Sequence, residues 1–538
     1  GAASSLGDGG AATDASFDGP VSIDFARGGT GKGIDAIVTE ARDNVVRSVV
    51  GLGSSLVQQG ALAASGGTPQ TAVIGMAPPS LLQAQLTDSA GAALVGFTVS
   101  AAATSSPAGY LGQSSASTDV NGNGSFGVRA GLLPGTYTFQ ISYQDLFGKD
   151  VAGSPVSYSV TATEPPAGTI FTVLNEDRSN DFTGLSTSPS FGPVSHMSYP
   201  WAVASGPDGT VYVSTYYHRV LAIAPDGSAR IVAGNASAGF NGDGGLAALA
   251  TLYYPQGLAL DDAGTTLFIA DQYNNRVRAV DLQTGLISTI AGNGTPTSGG
   301  GDGGPASAST IYYPSALAQR GGKLYVGENG PRIRVIDLTA SPPTIDTVLV
   351  DANTVNPPTA CSGTINFRGC AAGNWSCGLA IDPAGALYVS GYGCGTATGS
   401  STVFTVLKWD GVSLTYVAGQ ALSGSSDADG MVASRSYFGI PPALAYGPGS
   451  RLFLADIGGH RVRYIDLSGS TPTNRLWFGS GVAGFAGSYA STTLVPDRFN
   501  IQLNQPAGIA FTPSGHAVVA DYNNHSLRLV WKAASALP

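Results

Sequence analysis

An all-β fold of repeated small sheets, with one further β domain set into it, is predicted by three observations. The first is the stretch PQGLALDDAGTTLFIADQYNNRVRAV at 255–280, which reads as three short strands joined by Asp/Gly and Asn/Asn turns. The second is recurrence: residues equivalent to Pro255 stand at Pro20, Pro200, Pro314, Ser376, Pro441 and Pro506, making seven copies. The third is spacing. Successive copies from Pro200 onward lie 55 to 65 residues apart, whereas Pro20 and Pro200 are 180 apart, so about one extra domain is inserted inside the first repeat.

Six of the seven copies offer a fourth strand after the triplet: Thr169–Leu174, Ile231-Val232, Ile287–Ile290, Thr347–Leu349, Tyr416–Ala418 and Leu476–Phe478. One four-stranded sheet cannot bury both faces until neighbours stack on it, so the repetition points to a β-propeller. Six fourth strands for seven triplets leave one triplet with an open edge. The second strand ends in Thr39-Glu40, Ala270-Asp271, Ala455-Asp456 and Ala520-Asp521, with weaker forms at Val213-Ser214 and Gly327-Glu328. A GDGG linker recurs at 7–10, 242–245 and 301–304. The linker, the P-x-G-L-A strand and the A-D-x-x-N-x-R-V-R segment together resemble the NHL-repeat family of β-propellers, in its secreted type, over roughly 1–50 and 169–530. That resemblance implies a seven-repeat, six- or seven-bladed NHL-type β-propeller; activity it leaves open, since propellers host binding, scaffolding and several chemistries.

Taken in order, residues 1–50 supply three strands of the first repeat, and 51–77, rich in Gly, Ala, Ser and Gln, read as a linker. Residues 78–163 carry alternating runs such as Leu82–Leu86, Phe97–Ser100 and Thr136–Ile141 between Asp-Ser-Ala-Gly and Asn-Gly-Asn-Gly turns, the pattern of a β-sandwich. The pieces DSAGAALVGFTV and TDVNGNGSFGVRAGLLPGTYTFQISY resemble bacterial-type immunoglobulin-like modules. Thr169–Leu174 follows at once, which places the sandwich between the third and fourth strands of the first blade. The remainder of the propeller occupies 164–538.

Charged residues make up only 11% of the 538 residues, against a usual ~25%, so Ser, Thr, Gly and Asn, glycan or a neighbouring molecule must cover the surface. A net charge of −10 argues against nucleic acid as the main partner. No apolar run reaches the ~18 residues of a membrane helix. The chain begins GAASS without Met and reads as a mature chain or a fragment of a longer precursor. Cys361, Cys370, Cys377 and Cys394 fall in one repeat and lack the paired spacing of a zinc knuckle, so two local disulfides and an oxidising, extracellular setting are expected. Sequons at Asn123, Asn235, Asn293, Asn374 and Asn524 are the glycosylation candidates.

His218, His460 and His525 share one motif slot, where the third repeat has Asn275. Three histidines on one side of a disc could gather a metal, in the manner of a zinc-dependent lyase, but His at this slot is part of the resemblance to the NHL family, so a structural role is expected. Asp8, Asp243 and Asp302 of the GDGG linkers sit in turns that could take calcium but lack an acidic ladder, so turn formation is expected. Asp271, Asp456 and Asp521 with Arg278, Arg463 and Arg528 recur too regularly for one active site and read as charge pairs within blades. No catalytic residue and no resident cofactor is assigned. Tyr253-Tyr254 and Tyr312-Tyr313 recur before inner strands, serving either inter-blade packing or an aromatic mouth suited to sugar or protein.

The leading functional expectation is an extracellular structural protein, a subunit of a surface filament or matrix that meets copies of itself through propeller, sandwich and an open blade edge. The alternatives are a propeller enzyme, a metal-dependent lyase or lactonase-like hydrolase, and an adhesin that binds glycans or surface proteins.

Overall fold

The computed structural model describes residues 20–27, 34–40, 45–49, 61–174 apart from short breaks at 68, 75–76, 89, 106–108, 132 and 145–148, 197–350 apart from 226 and 330–331, 378–393, 403–419, 429–485 apart from 437 and 439–442, and 499–532. It divides into two units, 1–164 and 165–538.

Among its described residues the second unit holds six antiparallel sheets, the blades, in each of which the three strands of the triplet run in chain order from inner to outer. The inner strands are Pro200–Ser205, Pro255–Leu260, Pro314–Arg320, Leu379–Ile381, Ala443–Gly447 and Pro506–Phe511. Each touches the inner strands of its two neighbours, and the cycle closes between the last and the first. These residues form a β-propeller. Outer strands lie at Ala229–Ala233, Ile287–Ala291, Thr344–Val350, Leu414–Ala418 and Thr473–Phe478, where fourth strands are expected.

Local chemistry explains the blades. Four of the six inner strands begin with Pro, which lacks the N–H a ladder needs, and the register shifts just after Pro200, Pro255, Pro314 and Pro506. Second strands are covered on both faces by neighbouring blades, so they read as continuous apolar runs rather than alternating ones: every residue of Val211–Thr215 and Ala517–Asp521 is buried. The core is therefore a set of layers between blades. One joins Tyr212, Val220 and Val232 of the first blade to Leu258, Leu267, Ile269 and Val280 of the second, with Ala247, Ala250 and Leu252 of the linker between them. Each such side chain contributes roughly 1.5–3 kcal/mol on burial.

The closure differs from the expectation. Ile170–Leu174 is not the outer strand of the first repeat; it pairs antiparallel with Ser526–Val530, matching Ile170 to Val530 and Thr172 to Arg528, and completes the last blade. The physical reason is the ring: the last triplet ends at Val530, and the strand that follows the sandwich fills its open edge. Arg528 Nη1 donates to Thr172 Oγ1 at 2.7 Å across that joint.

In the first unit, Pro20–Arg27, Ile34–Glu40 and Val45–Val49 form a three-stranded antiparallel sheet in the same order as a blade triplet. Two further sheets face each other. One holds Asn123–Phe126, Leu82–Thr87 and Ala61–Gly66; the other holds Gln70–Val73, Val156–Thr163, Gly135–Ser142, Thr98–Ala103 and Ser115–Ser117. Residues 61–66 and 70–73 are thus strands, not the linker read from their composition: their small side chains still supply ladder hydrogen bonds, and Leu62, Ala72 and Ile74 are buried. Inward alternation fills the space with Leu82, Leu86, Val99, Phe126, Phe139 and Val160. Gly124 is demanded by close approach, since a Cβ there would stand 2.1 Å from Val99 Cγ2 of the facing sheet. Tyr158 donates from one sheet to Gln83 O of the other at 2.6 Å.

Candidate functional site

One face of the propeller is organised by residues in the left-handed backbone region. Tyr199 (φ 45°), Tyr254 (50°), Tyr313 (43°) and Gln505 (59°) precede inner strands; His218 (59°), Asn275 (53°), His460 (51°) and His525 (52°) precede third strands. Such a conformation costs about 1–3 kcal/mol for a side chain with a Cβ. Here it is offset by a latch between blades. The Tyr254 N–H donates to His218 Nδ1 at 3.1 Å, Tyr313 to Asn275 Oδ1 at 3.0 Å, Gln505 to His460 Nδ1 at 3.2 Å and Tyr199 to His525 Nδ1 at 3.3 Å.

The three candidate metal histidines therefore sit at three different blade junctions, each accepting a hydrogen bond from a backbone N–H through Nδ1. No cluster of three or more His, Cys, Asp or Glu occurs among the described residues. An accepting Nδ1 requires the neutral ring protonated at Nε2. Burial pushes His218 below its ordinary range, which favours that form.

The carboxylates serve the blades. Asp271, fully buried, accepts from the Tyr253 N–H at 2.7 Å, from Asn274 Nδ2 at 2.8 Å and from Arg278 at 3.3 Å. Burial pushes its carboxyl up to about 6 against the pull of those donors. Arg278 reaches Asp243 of the GDGG linker at 2.6 Å, and Thr289 Oγ1 donates to the same carboxylate at 2.7 Å. Arg334 joins Glu328 to Asp302 in the same way, at 3.2 and 2.6 Å. Of the linker aspartates considered for calcium, Asp243 and Asp302 thus face guanidinium groups, and Asp8 lies outside the described residues. Asp521 repeats the set with Asn524 at 2.8 Å and Arg528 at 2.9 Å.

The sequon asparagines divide. Asn235 and Asn293 are exposed in matching loops, and Asn123 is half-buried. Asn524 is 2% exposed, its Nδ2 donating to Gly484 O at 2.6 Å and to Asp521, so that candidate is corrected: in the folded ring the amide staples a loop and has no room for a glycan. Asn374 and the four cysteines lie outside the described residues.

The aromatic residues come together. Tyr522 packs on Trp201 (5.0 Å between rings) and Tyr199 (5.1 Å); Tyr199 meets Tyr216 (5.8 Å) and Tyr217 (6.3 Å). Tyr216 contacts Tyr254 at 4.5 Å, and their hydroxyls hydrogen-bond at 2.9 Å. Tyr254 meets Tyr253 (5.3 Å) and Tyr273 (5.0 Å), Tyr273 meets Tyr313 (5.2 Å), and Tyr313 meets Tyr312 (4.7 Å). The arc is continuous from the last blade through the first and second to the third. Tyr216 and Tyr217 are 37% exposed each. The bond to Tyr216 pushes the Tyr254 hydroxyl up to about 12, and burial holds Tyr522 above its ordinary value, so both stay protonated.

Two cavities open in the ring. A central channel of about 270 Å³ is lined by all six inner strands, mostly by Ala, Gly and Leu with Arg320 its one charged residue among the described ones. Gly257 and Gly508 are required there: a Cβ would stand 2.8 Å from Leu317 N and 2.7 Å from Trp201 O of the adjoining strand. A smaller notch of about 80 Å³ lies in the aromatic arc, bounded by Trp201, Tyr216, Tyr254, Pro255, Gln256, Gln272, Tyr273 and Tyr522.

The Tyr253, Tyr254, Tyr312 and Tyr313 pairs picked from the sequence are all in the arc. Tyr216, Tyr217, Tyr273 and Tyr522 were missed, although each stands within three residues before the His or Asn latch, a recurrence the repeat alignment contains. Gln256 and Gln272 carried no signal.

The NHL repeat family model matches residues 503–528. NHL repeat-containing protein 2 of Homo sapiens is 25% identical over 378 residues, covering 64% of this chain and 48% of that protein. Teneurin-m of Drosophila melanogaster is 22% identical over 361 residues, 62% of this chain and 12% of that one. The chain spans about half the length, or less, of the curated relatives it matches. Among solved structures, an auxiliary nutrient binding protein from Bacteroides thetaiotaomicron aligns at 13% identity and TM-score 0.44 over 87% of this chain and 97% of its own. No helix among the described residues is long and apolar enough to cross a membrane. With the repeat grammar and the closed cycle of sheets already in hand, the described residues of 165–532 form a β-propeller in which 503–528 match the NHL repeat.

Proposed function

We propose that the chain is a non-catalytic, extracellular glycan-recognition protein whose propeller holds its ligand on the tyrosine arc. The observation that carries this reading is the unbroken run of rings from Tyr522 to Tyr312 on one face. Sugars present C–H faces that stack on rings and hydroxyls that pair with phenols, and tyrosine offers both. Low charge, four cysteines within one repeat, read as two disulfides, and exposed sequons at Asn235 and Asn293 support the extracellular setting. The facing sheets of the first unit are read as an immunoglobulin-like module, supported by Tyr137, whose hydroxyl donates to Leu133 O at 2.7 Å in the manner of a tyrosine corner. A glycan array probed with the intact chain and with a Tyr217→Ala/Tyr312→Ala variant tests the proposal. Saturable binding weakened tenfold or more in the variant is expected; an array without signal contradicts it.

A second reading, assembly with copies of itself into a surface filament, is favoured by one observation. The triplet Pro20–Val49 has blade order but no fourth strand among the described residues, and a strand from another copy would complete it. Electron microscopy of native secreted material distinguishes regular fibres from single particles.

A further inference from the structure

We propose that the notch in the arc is a subsite for one neutral sugar ring, with the amides of Gln256 and Gln272 taking its hydroxyls; this rests on the glycan reading above and names the class of ring. The two glutamines are 5% and 3% exposed, both line the notch, and the Oε1 of each has no hydrogen-bond partner. Buried polar atoms are nearly always paired, so two orphaned acceptors in one cavity ask for donors from outside the chain. Their backbones are already held: Gln256 O accepts from Ser214 Oγ at 2.7 Å and Gln272 O from the Asn275 N–H at 3.0 Å. The backbone is thus held before any ligand arrives, and each Oε1, with under 1 Å² exposed, meets a ligand hydroxyl once its side-chain amide turns toward the notch. A hydroxyl both donates and accepts, so it satisfies an amide in either orientation.

The walls select further. Trp201, Tyr216, Tyr254, Tyr273 and Tyr522 surround the amides with ring faces suited to a sugar's C–H face. No Asp, Glu, His, Lys or Arg lines the notch, so a ligand carboxylate or ammonium would be desolvated there without a counter-charge. A neutral hexose or N-acetylhexosamine fits that lining; an acidic sugar does not. At about 80 Å³ the open notch takes one edge of a single ring, so a terminal residue seats its edge there while the rest of the glycan lies along Tyr217, Tyr253 and Tyr312.

Methyl glycosides of glucose, galactose, mannose and N-acetylglucosamine, with methyl glucuronide as the charged control, test this on the full chain by saturation-transfer NMR. Selectively ¹⁵N-glutamine-labelled protein gives a second readout without mutation. The expected result is at least one neutral glycoside saturating in the millimolar range, shifting two glutamine side-chain amide resonances, with at least tenfold weaker binding in folded Gln256→Leu and Gln272→Leu variants and none of the glucuronide. Val412→Ala, at an exposed turn outside both the notch and the arc, leaves this monosaccharide binding intact. No saturation by any neutral glycoside up to about 50 mM, meaning that water alone fills the amides, overturns the proposal, as does binding indifferent to both glutamine variants. If the array binds through Tyr217 and Tyr312 while the notch stays empty, glycan recognition stands and the subsite falls.

Discussion

At the residue scale the histidines show how a repeated motif can imitate a metal site. Their shared slot is plain in the sequence, but whether three rings converge or separate depends on the rotation from blade to blade. The native Asn275 already shows what the slot requires: tolerance of positive φ and an acceptor for the next blade's N–H. His218→Asn should therefore keep the latch, whereas His218→Ala should lose about 1 kcal/mol. Because burial depresses the folded-state pKa of His218, the unfolded chain binds the extra proton first as pH falls. The latch is fully present above the ordinary histidine value and is lost as pH drops through the lowered one. Thermal unfolding from about pH 7.5 to about 5.5 should show wild type losing more stability than His218→Asn. Equal slopes would contradict the latch. Asp271→Asn leaves buried Arg278 without its interior counter-charge and should cost about 3 kcal/mol or more in denaturant unfolding, with Asp243 compensating only in part.

At the element scale, strand positions were legible because turn residues and apolar runs are local properties. Pairing was not. Ile170–Leu174 fits any outer edge equally well by composition, and only ring closure assigns it to the last blade. Residues 61–73 were illegible for a different reason: Ala and Gly are depleted in strands, and burial by partners far along the chain decides their state. The closure predicts that Thr172→Val, which leaves Arg528 Nη1 without its buried acceptor, costs about 1–3 kcal/mol. Gly508→Ala, which drives a Cβ against Trp201 O between the last and first blades, should cost about 1–3 kcal/mol by the same denaturant measurement. A Gly508→Ala variant as stable as wild type would mean that these inner strands are not held at this spacing.

At the scale of the whole molecule, the propeller was readable from the repeat and the tyrosine pairs from their recurrence, but the arc they build was not. It arises because loops from adjoining blades land side by side on one face, as Tyr216 and Tyr254, 38 residues apart in sequence, or Tyr273 and Tyr313, 40 apart, do. The notch glutamines were invisible because an amide's lack of a partner is a property of the finished packing. The most direct test of the account is hydroxyl-radical footprinting of the intact chain, with and without a saturating glycan taken from the array. Recognition by the arc predicts protection concentrated on Tyr216, Tyr217, Tyr254, Tyr273 and Tyr312. Protection confined to the channel-lining strands or to the sandwich, with these tyrosines unchanged, would contradict it.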